Sequence, residues 1–122
     1  MNKFIRGFRF AFQGLWYACK TQLNFRVHLF CAAISIALGF FLKISAAEWL
    51  WIILSIGIVL LTEIINTAIE LLVDLVSPGY NEKAGDVKDM CAAAVLVTAM
   101  TALVIGIVIF LPKLIVLFGH AA

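Results

Sequence analysis

Charge is scarce in this 122-residue chain: nine lysines and arginines and seven aspartates and glutamates make up 13% of it, against 65% hydrophobic residues. So few ionic side chains cannot coat a water-soluble globule of this size, and the mean hydropathy of +1.12 excludes soluble enzymes and disordered linkers alike. The formal net charge of +2 is too small, and too dispersed, for a nucleic-acid surface. Cysteine is limited to Cys19, Cys31 and Cys91, an odd number without C-x-x-C spacing, which argues against a disulfide framework or a zinc site. Proline occurs only at positions 78 and 112, and no internal repeat or low-complexity segment appears. The P-loop G-x-x-x-x-G-K-[ST], the dinucleotide G-x-G-x-x-G and the soluble-kinase catalytic loop are all missing, so any nucleotide would be held by an unrelated solution.

What the chain has in abundance is apolar sequence, arranged as one all-α membrane domain over 1–122. Residues 1–26 contain Lys3, Arg6, Arg9, Lys20 and Arg26 but no acid, interleaved with Phe4, Phe8, Phe12, Leu15 and Trp16. At about 100° per residue the cations and the rings separate onto opposite sides, as in a helix lying on a membrane surface. A cleaved signal peptide ending at Ser45-Ala46-Ala47 is the weaker reading, because the basic region is far longer than a signal n-region. Three apolar spans follow at about 27–42, 47–76 and 90–118, with a loop at 77–89. The first is short for the roughly twenty residues a crossing takes. Ser77-Pro78-Gly79 stops the second, and Asp86 is the expected N-cap of the third. The concentration of cations before the first span predicts a cytoplasmic N-terminus, a cytoplasmic 77–89 loop and an outward C-terminus.

The chemistry is concentrated in the second span. Glu63, Asn66, Glu70 and Asp74 follow at intervals of three, four and four, within about 80° of one helix face. Ionisable groups at such depth cost several kcal/mol and point to function. Co-facial carboxylates also repel one another unless a cation lies between them. Asp74 could alternatively mark only the interfacial end of the helix, and Asn66 an interhelical hydrogen bond. Carboxylates with amide oxygens suit Mg²⁺, which completes its shell with water and phosphate oxygens. Lys88 is then a point charge for phosphate, since a lysine so near the expected helix start opposes the helix dipole and suggests another partner.

The run Glu63-Ile64-Ile65-Asn66-Thr67-Ala68-Ile69-Glu70, then Asp74 and, eighteen residues after Glu70, Lys88-Asp89, resembles the signature of the small prokaryotic integral-membrane diacylglycerol kinases. The resemblance extends to the basic N-terminal helix, Asn24-Phe25-Arg26 at the first span and Ala92-Ala93-Ala94-Val95-Leu96 in the third. It implies a homotrimer of the inner or plasma membrane, with active sites shared between subunits, using Mg²⁺ and ATP to phosphorylate a lipid hydroxyl. The implied acceptor is diacylglycerol, giving phosphatidic acid, or else undecaprenol. By position the resemblance makes Glu63 the catalytic base and Glu70 a metal ligand. Asn66 becomes a polar group of the active site, and Lys88 and Asp89 nucleotide contacts, Lys88 also aiding the transfer. Gly79, Tyr80 and Asn81 join the nucleotide site, as does Lys3, which stands where better-known members carry arginine. Asn24, Phe25, Arg26 and His28, with Lys3 and Glu63, fall on the lipid-substrate site. Two departures stand out: Gln22 replaces a second metal-binding glutamate, and Phe10 replaces a tyrosine near the nucleotide. The residues alone would also fit a small oligomeric transporter or proton channel, which needs a mid-membrane glutamate but not Lys88-Asp89. A structural membrane subunit would leave the acidic stripe unexplained.

Overall fold

The computed structural model describes residues 2–121 as four helices: α1 (Lys3–Thr21), α2 (Leu23–Leu42), α3 (Ala46–Val76) and α4 (Glu82–Ala121). Met1 and Ala122, the ends of the expected domain, lie outside the described residues. The last three helices are long and apolar enough to cross a membrane, and the shorter α1 carries the basic amphipathic face. The chain is therefore a multi-pass membrane protein. Its main contacts are α3 against α4 and α2 against α3.

Two boundaries differ from the sequence reading. The basic segment 1–26 is not one helix: Gln22 leaves helical geometry at φ −113°, ψ 111°, and α2 begins at Leu23, four residues earlier than expected. Arg26 stabilises this break, its Nη1 donating to the terminal α1 carbonyls of Cys19 (2.9 Å) and Lys20 (3.1 Å), which places a cation where the α1 dipole is negative. The loop expected at 77–89 is only 77–81. Asn81, not Asp86, starts α4: its Oδ1 accepts from the Ala84 N–H at 3.1 Å, and Glu82 adds an acid to the first turn. Residues 82–89 are polar because those turns lie beyond the apolar span, not because they are loop.

The α2–α3 turn is fixed by local chemistry. Lys43 closes α2 in the left-handed region (φ 52°, ψ 53°). The Ile44 and Lys43 N–H groups reach back to the Gly39 and Phe40 carbonyls, the pairing of a Schellman end. Ser45 and Glu48 then form a reciprocal capping box at the start of α3, and the other Glu48 oxygen meets Lys113 of α4 at 3.1 Å. Beneath this turn Ile44, Ile52, Ile109 and Phe110 form the buried core, with Leu38, Trp49 and others packed around it.

Deeper in the bundle the hydroxyls of Thr62 (α3) and Thr98 (α4) lie 2.9 Å apart, a hydrogen bond between half-buried side chains of two helices. Replacing Thr98 with valine should lower stability by about 0.6 kcal/mol and at most about 1.7. A denaturant titration in mixed micelles checks this. No loss in the variant would show that Thr62 is fully satisfied by its own helix carbonyls.

Candidate active site

The acidic stripe of α3 turns inward. Glu63 is 2% exposed, Thr67 and Asn66 are buried beside it, and Glu70, one turn further, is half-buried. The helical intervals read from the sequence therefore bring these groups onto one buried face. Asn66 donates through Nδ2 to Glu70 Oε1 at 3.3 Å, while its own Oδ1 is buried without a partner among the described residues. Glu63 Oε2 is unpartnered in the same way. Two buried acceptor oxygens left open on successive turns form a site short of donors or of a cation. The Thr67 hydroxyl does not fill this need, because it donates to the Glu63 backbone carbonyl.

Helix α2 supplies the opposite wall, with Asn24 and His28 as the polar neighbours of Glu63. The spacing of these two residues gave no sign of that pairing, which depends on how α2 packs on α3. Phe25, expected at the lipid site, is buried at 1% exposure. Arg26 is engaged in capping α1. Gln22, at the helix break, makes its side-chain hydrogen bond to Thr21. No described group of three or more histidine, cysteine or acidic side chains is arranged to hold a metal, so a metal at Glu70 would have to take other ligands.

At the upper end of the stripe Asp74 pairs with Lys88 across the α3–α4 turn. The pairing makes Asp74 more than a boundary marker, and because α4 begins at Glu82, Lys88 lies within the helix rather than at its start. Asp89 is exposed beside it, and Gly79 and Tyr80 form an open loop, with Tyr80 98% exposed. Asn81 is occupied as the α4 cap. Lys3 and Phe10 are exposed on α1. The structure thus gathers Asn24, His28, Glu63, Asn66 and Glu70 in one place and Asp74 with Lys88 in a second, while Lys3, Phe10 and Gln22 belong to the surface helix and its hinge.

Below Glu63 lies an apolar groove of about 590 Å³ between α2, α3 and α4. Its α3 wall is Ile52, Ser55, Ile56, Val59 and Leu60, the same 3–4 spacing that continues one turn on to Glu63. His28 belongs to both places, lining the groove and facing Glu63. The sequence reading missed this groove, although small residues at helical intervals, Cys31 and Ser35 on α2, were a visible signal.

Fold and site together define a three-span membrane protein with a buried acidic site at the head of an apolar groove. A family model described as prokaryotic diacylglycerol kinase matches residues 9–110. The chain is 40% identical over 114 residues to a Bacillus subtilis protein named undecaprenol kinase, covering 93% of each. It is 39% identical over 108 residues to a Synechocystis diacylglycerol kinase, covering 88% of this chain and 62% of that one. To the Escherichia coli K12 diacylglycerol kinase it is 29% identical over 103 residues, 84% of each. The chain belongs to the prokaryotic diacylglycerol kinase family.

Proposed function

We propose that this protein is an ATP-dependent lipid kinase of the cytoplasmic membrane, with its N-terminus in the cytoplasm. The observation that carries this reading is the junction at His28: an apolar groove suited to a lipid chain ends at a buried carboxylate with an open acceptor oxygen. A lipid lying in the groove presents its hydroxyl to Glu63. Glu63 Oε2 takes the hydroxyl proton as the oxygen attacks the γ-phosphorus of ATP, and ADP departs. Asn24 and His28 orient the acceptor, and the walls of the groove exclude water from the reacting oxygen. Lys88 receives the phosphate oxygens, exchanging its Asp74 contact for them.

Glu70, with its neighbour Asn66, fits Mg²⁺ as a partial ligand set, and Gln22 is the further candidate from the hinge between α1 and α2. When bound, Mg²⁺ neutralises charge on the β- and γ-phosphates. One chain offers too few ligands to hold the ion by itself, which suits metal that arrives with ATP and an active site completed by a neighbouring subunit in a homotrimer. Glu70→Gln should raise the Mg²⁺ concentration needed for half-maximal rate by about tenfold, the cost of roughly one charge-assisted contact. An unchanged metal dependence in a Mg²⁺ titration would remove Glu70 from the metal site.

Diacylglycerol and undecaprenol are the two acceptor readings. The second is favoured by the identity to the Bacillus subtilis protein. Transfer of labelled γ-phosphate from Mg-ATP in mixed micelles, with each lipid offered in parallel, tests both. Transfer to one names the acceptor; transfer to neither defeats the kinase reading and makes proton flux through liposomes the measurement for the transporter.

A further inference from the structure

At the opposite end of the bundle from Glu63 lies a second recess, about 520 Å³, between the end of α2 and the last turns of α4. Its floor is apolar, with Phe41, Leu42 and Leu117, while its polar groups are Lys43, Lys113 and His120; among the described residues no carboxylate lines it. From this geometry we infer that the recess binds an anionic phospholipid, the phosphate between Lys43 and Lys113 and an acyl chain along the apolar floor. The proposal does not depend on the kinase reading, because Glu63 stands fifteen residues along α3 from Glu48, about 22 Å at the helical rise.

Three observations converge on it. First, Lys43 occupies a left-handed position that glycine would fill without strain, and its ammonium makes no salt bridge among the described residues. The turn would be better served by glycine, so the lysine side chain offers something that the backbone does not need. Second, Lys113 meets Glu48 through one oxygen, and an ammonium with three donors retains capacity for another acceptor. Third, cations rimming an apolar bed at a membrane boundary match a phospholipid in both halves, whereas free phosphate would use only the rim. Charge thus selects an anionic headgroup, and the floor selects a lipid.

The test uses the full chain in nanodiscs of one part phosphatidylglycerol to nine parts phosphatidylcholine, released for native mass spectrometry. Wild type should retain phosphatidylglycerol above its bulk share. Lys43→Gly should lower that enrichment about fivefold, the contribution of one lysine beside an anionic headgroup. Because this change relieves the left-handed strain, a loss cannot be ascribed to misfolding. Glu48→Gln, which frees Lys113, should raise retention, and Glu63→Gln should leave it unchanged, separating this site from the catalytic one. Equal retention by wild type and Lys43→Gly overturns the proposal. So does a wild type without enrichment whose oligomeric state changes in Lys43→Gly, since the recess would then be a contact between copies of this chain.

Discussion

Glu63→Gln should reduce phosphoryl transfer about 10²–10⁴-fold, the range lost when a positioned general base is removed, while thermal stability holds or rises. The two expectations have one cause. A carboxylate 2% exposed, with an oxygen that bonds nothing, is a poor structural element and a costly one inside a bilayer. The amide keeps the shape and discards the charge, so the fold gains what the reaction loses. Turnover by the variant, measured with saturating lipid and Mg-ATP, is compared with its melting temperature in the same detergent. Retained turnover would remove Glu63 from the base role, and a large drop in stability with lost turnover would make it a packing residue.

Gly39→Val should destabilise the bundle by about 3 kcal/mol, the upper part of the range for overpacking. A Cβ at Gly39 would lie 2.6 Å from Trp49 Cη2, and the Trp49 ring cannot simply swing aside. Phe40 packs on it at 4.9 Å between centroids, and the capping box holds the helix turn that carries it. The same carbonyl that closes the Schellman end belongs to Gly39, so a displaced helix end would also strain the turn. Denaturant titration in micelles gives the magnitude. Repeating it in a Trp49→Ala background isolates the clash: the valine should then cost little, and an undiminished cost would place the cause elsewhere.

Much of this architecture was legible because a bilayer leaves few alternatives. Long apolar runs mark the three spans, and the intervals between Glu63, Asn66, Glu70 and Asp74 put them on one face without reference to any neighbour. Polarity does not mark a loop in this chain. Glu82 to Asp89 is polar yet helical, since an asparagine cap decides where α4 starts and the membrane boundary decides where it becomes apolar. The break at Gln22 has no proline or glycine to announce it; Arg26 closes it by reaching back seven residues to the Cys19 carbonyl. Contacts across helices were the least readable. Asn24 and His28 meet Glu63 through packing of α2 on α3, and no interval within either helix encodes that.

The helices also differ in length, which has a mechanical consequence. At 1.5 Å per residue α2 spans about 30 Å, matching the hydrocarbon core, whereas α3 and α4 run to about 46 and 60 Å. Lys43 marks one end of α2, and the single-residue hinge at Gln22, fastened by Arg26, marks the other. The longer helices can tilt or slide in a thicker bilayer, but α2 has no slack, so added thickness draws α1 and its cations toward the hydrocarbon. The shortest span is therefore the gauge of the molecule, setting the membrane thickness at which the surface helix lies level with the headgroups.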